Sequence, residues 1–388
     1  SAPKTYKKRQ YEQLLGKEIN GRYDLESLLG FGGMGAVYKA LQRNMQRRVA
    51  LKLIPHGDPK AAARFKREAL TISKLRHPNT VTVFDYGETD DGMLFLAMEM
   101  LSGRTLGDVI KNQAPLDPNR AVHIASQVCR SLSEAHDSGI VHRDIKPDNI
   151  FLIEVDDDDS FVKVLDFGIA KSIKAEDEVT LTGEGRIIGT PRYMSPEQIL
   201  AEDVDRRSDI YSLGCIIFEM LCGTPPFDDT STTKLMIAHA KESPPTLAER
   251  LTEDALSRIP GQLEEVVRRA LAKSPSERHS HIDVFRKELE SAVEKLDSEP
   301  LPPGTGMRKP PPGANRQAES SDLLDMHSSQ SLNELSHTRA NREASSAVPT
   351  QTKTEDDSDN TRLFLIVAIV ALLLVIGIGG YVVFVKDG

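Results

Sequence analysis

Up to about residue 295, apolar positions recur at strand and helix spacing, and beyond it that pattern stops. Tyr23-Asp24-Leu25-Glu26-Ser27-Leu28-Leu29 and Ala36-Val37-Tyr38-Lys39-Ala40 each predict a strand, joined across glycines as a hairpin. In Val49-Ala50-Leu51-Lys52-Leu53-Ile54 side chains alternate, so Ala50 and Lys52 share one face of a further strand. Asp58 and Pro59 supply a helix cap and first turn, after which Phe65, Ile72 and Leu75 mark an apolar stripe. Glu68 falls on that stripe. A carboxylate there, like a lysine inside an apolar strand, breaks the local rule, and such breaks are expected at functional sites.

From Glu299 to Asn360 apolar residues become sparse while Pro, Ser, Asn and charge dominate, which predicts a disordered linker over 296–362. Leu363 to Val385 then runs without a charge, long enough to cross a hydrocarbon core of ~30 Å at about 1.5 Å per residue. It predicts a transmembrane helix with a short tail over 386–388. Arg362 and Lys386 balance its flanks, so orientation must come from function. The chain opens on Ser1 and stops at Gly388 just past the span, and the expectation is a fragment whose outer sensor domain, where one exists, lies beyond it.

The 388 residues carry a formal charge of -9, which argues against non-specific nucleic-acid binding. The 3 cysteines, Cys129, Cys215 and Cys222, have no metal-ligand spacing and fit a reducing compartment. Asp156 to Asp159 put four acids in a row between apolar runs, which predicts a solvated hairpin tip rather than a metal site.

The chemistry concentrates in three places. Gly30-Phe31-Gly32-Gly33-Met34-Gly35 is by itself a glycine-rich turn, a dinucleotide loop or a polyphosphate loop. A dinucleotide site needs a helix directly after it, whereas Val37 and Tyr38 favour a strand. His142-Arg143-Asp144-Ile145-Lys146-Pro147-Asp148-Asn149, flanked by apolar runs, and Asp166-Phe167-Gly168 set two acids and an amide at a spacing that phosphoryl transfer can use.

In this order the motifs resemble the eukaryotic-like serine/threonine protein kinases over roughly residues 20 to 295, and the membrane-anchored receptor-type kinases of bacteria among them. The resemblance implies an α+β bilobal fold: an N-terminal extension over 1–19, an N-lobe over about 20–101 with an antiparallel sheet and one helix, and a mostly helical C-lobe over about 102–295. It implies ATP and Mg²⁺ as cofactors. Leu29, Gly30, Phe31, Gly32, Gly33, Met34, Gly35 and Ala36 would then cover the phosphates. Lys52, paired with Glu68, would hold the α- and β-phosphates. Met98 would be the gatekeeper, backbone groups of Glu99 and Leu101 would bind the adenine edge, and Leu29, Val37, Ala50 and Phe151 would sandwich its faces. Asp144 would accept or orient the substrate hydroxyl proton, Lys146 would steady the transferring phosphate, and Asn149 and Asp166 would hold magnesium.

Further along, Gly189-Thr190-Pro191-Arg192-Tyr193-Met194-Ser195-Pro196-Glu197 resembles the end of an activation segment, with Ser-Pro-Glu in place of the usual Ala-Pro-Glu. The resemblance pairs Glu197 with Arg278 and makes Asp209 the anchor of the catalytic loop. Lys146 after Asp144 and Gly189-Thr190 favour serine and threonine as acceptors. Arg143 marks kinases switched by activation-loop phosphorylation, which nominates Thr180 and Thr182, with Arg143 and Lys171 as partners of the phosphate. The stretch Gly183-Glu184-Gly185-Arg186 is longer than in relatives of this type. The implied partners are protein Ser/Thr hydroxyls, a second copy of the chain in a homodimer, and the membrane through 363–385, with the ATP-using domain cytoplasmic. The competing readings are a pseudokinase scaffold that binds nucleotide without turnover, and a small-molecule kinase. The first would lack Lys52, Asp144 or Asp166, and the second would lack the Glu197 and Asp209 segments.

Overall fold

Alternating strands in the first part of the chain pair into a 6-stranded sheet in the order β1-β2-β3-β4-β6-β5, antiparallel throughout. Its strands are β1 (Glu18–Ile19), β2 (Tyr23–Gly32), β3 (Gly35–Gln42), β4 (Arg47–Ile54), β5 (Val83–Glu88) and β6 (Leu94–Glu99). The computed structural model describes residues 9–32, 35–55, 59–168 and 191–298. Gly33, Met34, Asp58, Lys171, Thr180, Thr182, residues 299–362 of the expected linker and the expected span at 363–385 lie outside the described residues. Among the described residues no helix is long and apolar enough to cross a membrane.

The pleat of β4 sorts its side chains as the alternation predicts. Val49, Leu51 and Leu53 pack with Tyr23, Tyr38 and Phe95 on the outer face. Ala50 and Ile54 face the opposite way, into the core that runs through both lobes, and Lys52 lies between them on that inner face. Against this face packs α1 (Pro59–Ile72), which buries Ala61, Ala62, Phe65, Ala69 and Ile72 at spacings of three and four. Leu75, expected on the same stripe, is buried but past the helix end. The chain turns there because Glu134 accepts the backbone N–H groups of Arg76 (2.8 Å) and His77 (2.9 Å). Pro78 bars a return to helix.

After Glu99 the chain enters a helical lobe with its own 3-stranded sheet, β7 (Gly103–Thr105), β8 (Ile150–Val155) and β9 (Asp158–Val164). Its helices are α2 (Leu106–Gln113), α3 (Pro118–Asp137), α4 (Pro196–Leu200), α5 (Arg207–Cys222), α6 (Thr232–Lys241), α7 (Glu253–Leu256), α8 (Gly261–Ala270) and α9 (Ile282–Ser298). Asp117 caps α3 through the amides of Asn119 and Arg120, with Pro118 in its first turn. Helix α5 is buried from Ser208 to Leu221, apolar nearly all round as a central helix must be. The lobes are also stitched at Val164, whose N–H donates to Asn79 (2.8 Å) and whose carbonyl accepts from Val81 (3.0 Å). The acid run lies at the β8–β9 hairpin tip and is solvated as expected: Asp156, Asp157 and Asp159 are exposed, with Asp158 meeting His123 (3.0 Å) and Asp159 meeting Arg120 (3.7 Å) on α3 at the start of β9. Among the described residues no cluster of three or more His, Cys, Asp or Glu suits a metal ion.

Candidate active site

The segment His142–Asn149 is shaped from beneath by one buried acid. Asp209, in the first turn of α5, is 1% exposed, and its two oxygens accept the backbone N–H groups of His142 and Arg143, each at 2.9 Å. His136 adds a third contact at 2.8 Å. These bonds hold Arg143 at a φ of 62°, a left-handed conformation that a non-glycine residue adopts only when its surroundings enforce it. Gln198 on α4 ties the Arg143 carbonyl from the other side at 2.8 Å.

His142 is fully buried, and its neighbours fix its proton. Nε2–H donates to the Leu165 carbonyl (2.8 Å), while Nδ1 accepts from the Asp144 amide (3.3 Å). Burial lowers its pKa, against the smaller opposing pull of Asp209, so the ring stays neutral. Its ring centroid lies 4.7 Å from that of Phe167, joining the His142–Asn149 segment to Asp166-Phe167-Gly168. Gly168 is needed there, because a Cβ would come within 2.7 Å of the His142 carbonyl. Asp166, like Arg143, takes a positive φ, 52°.

The predicted reactive groups meet across this junction. Lys52 Nζ on β4 donates to Asp166 Oδ1 at 2.7 Å. Lys146 Nζ donates to Asp144 Oδ2 at 2.6 Å. The Asn149 amide donates to the Asp144 carbonyl (2.8 Å) and Oδ2 (3.1 Å), which leaves its oxygen as the end that a cation can use. Asn149 and Asp166 are brought side by side because the Leu165 N–H donates to the Asn149 carbonyl at 2.8 Å. Burial pushes the Asp166 carboxyl up, but the charge and hydrogen bond of Lys52, aided by His142 and Lys146, outweigh it and hold the pKa below the usual range. Its side chain remains 36% exposed at the open edge of the cleft. An ionised carboxylate beside an amide oxygen is a hard donor set that suits Mg²⁺.

The nucleotide-side residues fall around the same cleft. Val37 pairs across the sheet with Lys52, and Ala50 with Met98, so all four belong to adjacent strands. Ala50 and Met98 are buried, Val37 and Phe151 partly so, and Leu29 (48%) and Phe31 (38%) are exposed on the glycine strand. Glu68 is half-buried on α1, three residues after Phe65. Leu101 is half-buried just past β6. Of the Glu99 backbone groups, the N–H is already committed to the Thr82 carbonyl at 2.9 Å, so only its carbonyl can face a base.

The glycines of the loop divide by cause. A Cβ on Gly30 or Gly32 would meet nothing within 4 Å, whereas one on Gly35, at φ +129°, would lie 2.1 Å from the Leu53 carbonyl. Gly35 is therefore required by β4, and of the described loop glycines Gly30 and Gly32 leave room for a ligand. Sequence reading missed Lys163, whose ammonium meets Glu99 at 2.8 Å, and the buried Asn79–Gln127 contact at 2.9 Å that helps join the lobes. Neither stands within a motif, and both are contacts between distant parts of the chain.

A two-lobed fold with this junction at its cleft is the arrangement of the protein kinase class. Residues 23–289 match the protein kinase domain family, to which this chain belongs. It is 40% identical over 297 residues to the serine/threonine-protein kinase pkn3 of Myxococcus xanthus, covering 74% of this chain and 54% of that protein. It is 39% identical over 277 residues to the serine/threonine-protein kinase PknB of Mycobacterium tuberculosis, covering 70% of this chain and 43% of that protein. The chain spans about half the length of the curated relatives it matches.

Proposed function

We propose that this chain transfers the γ-phosphate of ATP to serine or threonine hydroxyls of proteins, including its own activation segment. The observation that carries the reading is the meeting of Lys52 with Asp166 at 2.7 Å beside Asp144, Lys146 and Asn149. Magnesium, when bound, would neutralise the phosphate charge, with Asn149 and Asp166 as its side-chain ligands. Lys52 would orient the α- and β-phosphates. Asp144 would take the hydroxyl hydrogen bond and align the attacking oxygen, and Lys146 would exchange its contact with Asp144 for the transferring phosphoryl group. The pseudokinase alternative loses ground because Lys52, Asp144 and Asp166 are all present and converge.

Thr180 and Thr182 are the proposed autophosphorylation sites, with Arg143 and Lys171 as phosphate partners. The charge-free run at 363–385 is proposed to anchor the chain in the bacterial membrane through the polar stretch 296–362, leaving the kinase domain in the cytoplasm, where ATP is available. A homodimer would let one copy phosphorylate the other. Incubation with γ-labelled ATP, Mg²⁺ and a generic basic protein is expected to yield phosphoserine and phosphothreonine. Nucleotide binding without transfer would instead establish the pseudokinase.

A further inference from the structure

Lys163 stands on β9 three residues before Asp166 and directly across from Phe151 on β8. Its side chain leaves the lower lobe and reaches Glu99 Oε1, at the end of β6, at 2.8 Å. The two side chains are only 13% and 22% exposed, so water and salt screen this pair less than a surface one. The same Glu99 oxygen accepts the Thr82 backbone N–H at 2.7 Å. The Glu99 N–H in turn donates to the Thr82 carbonyl at 2.9 Å. Glu99 is thus held through both its backbone and its side chain, and Lys163 is the member of this set that comes from the opposite lobe.

We propose that Lys163 is a positioning residue for base recognition, fixing the Glu99 peptide whose carbonyl faces the nucleobase edge. This rests on the kinase reading above. A fixed carbonyl accepts a hydrogen bond from the exocyclic amino group of adenine and repels the carbonyl that guanine carries at the same place, so rigidity here gives both affinity and selectivity. Without the ammonium, the Glu99 carboxylate keeps only the Thr82 amide in a half-buried site and turns toward water. The peptide then loses one of its restraints, and guanine can be accommodated at lower cost.

The test is steady-state kinetics of Lys163→Met with ATP and with GTP. Lys163 acts on the base only through the Glu99 peptide, so part of what one charge-assisted hydrogen bond contributes reaches binding, and the KM for ATP should rise roughly three- to tenfold. With the interaction acting on binding rather than chemistry, kcat stays within about twofold. The ratio of kcat/KM for ATP over GTP should narrow, and Lys163→Arg should restore both values. A merely structural lysine would lower thermal stability and leave the nucleotide ratio alone. An unchanged KM and ratio, or a loss confined to kcat, overturns the proposal. Should Lys163→Met melt below the assay temperature, Lys163→Leu, which also removes the ammonium, carries the same test, and the same narrowing of the ratio is required. A wild type that transfers no phosphate sinks the kinase reading instead, whereas a variant indistinguishable from an active wild type sinks this inference alone.

Discussion

Two ion pairs of nearly identical length divide this molecule by purpose. Lys52 and Asp166 meet at 2.7 Å with side chains 12% and 36% exposed, and Arg278 and Glu197 meet at 2.7 Å with side chains 0% and 2% exposed. The second pair is closed on every side. Arg278 makes a two-pronged contact with Glu197 and gives its remaining N–H groups to the carbonyls of Ala272, Arg207 and Lys273. In both pairs burial raises the carboxyl pKa and the cation more than reverses it. What differs is replaceability: the cleft pair opens to water, so a phosphate or a metal ion can take a place in it, whereas nothing can reach the pair in the helical lobe. One pair serves exchange, and the other serves permanence.

The largest effect that would break this contrast is on activity. Asp166→Asn and Asp144→Asn should each lower the initial rate of phosphotransfer by at least about 100-fold while the urea midpoint stays near that of the wild type. A variant that keeps its rate removes the cleft pair from the chemistry. On stability the order should invert. Arg278→Ala leaves a buried carboxylate unpaired and should cost about 3–5 kcal/mol in a denaturant titration. Lys52→Met leaves Asp166 facing water and should cost within about 1 kcal/mol. Equal losses in the two variants would erase the distinction.

A smaller effect sharpens the boundary between the ligand-facing and the structural parts of the cleft itself. Gly35→Ala must force a Cβ against the Leu53 carbonyl at a positive φ and should destabilise by about 1–3 kcal/mol, whereas Gly30→Ala, which meets nothing, should stay within about 0.5 kcal/mol. Thermal melts of both variants without nucleotide check this. The smallest effect is on pH dependence. Asp166 and Glu197 have folded pKa values below their unfolded ones, so their stabilisation is present above the unfolded values of 3.8 and 4.5 and is lost as pH falls through the lowered ones. Neutral His142 has its pKa lowered too, so its contribution starts to decline already below about pH 6.5. Urea midpoints should therefore fall steadily on acidification. In Asp166→Asn the acid limb should be shallower, and an unchanged limb would contradict the assigned direction.

How much of this was legible beforehand follows from the range of each interaction. The faces of β4 and the burial of α1 are local consequences of period, so Ala50, Lys52 and Phe65 could be placed by counting. The His142–Asn149 segment was legible because its polar groups lie within a few residues of one another. The resemblance paired Glu197 with Arg278 and put Asp209 beneath the loop, and those contacts are present. Other features were hidden because they depend on which strands become neighbours. Nothing in Gly30-Phe31-Gly32-Gly33-Met34-Gly35 says that its last glycine answers to Leu53 rather than to a phosphate. Leu75 looked helical because a period cannot reveal that Glu134, far along the chain, will claim the amides that follow it. Lys163 carries no signal of its own in the sequence, because its partner Glu99 is 64 residues away.

On the proposed function, Lys52, Asp144, Asn149 and Asp166 surround one triphosphate. A crystal structure of the protein with a non-hydrolysable ATP analogue and Mg²⁺ tests it most directly. The α- and β-phosphates should lie against Lys52, the metal on Asn149 and Asp166, and the γ-phosphate beside Asp144 and Lys146. Nucleotide density away from this cleft, or a metal bound without either Asn149 or Asp166, would contradict it.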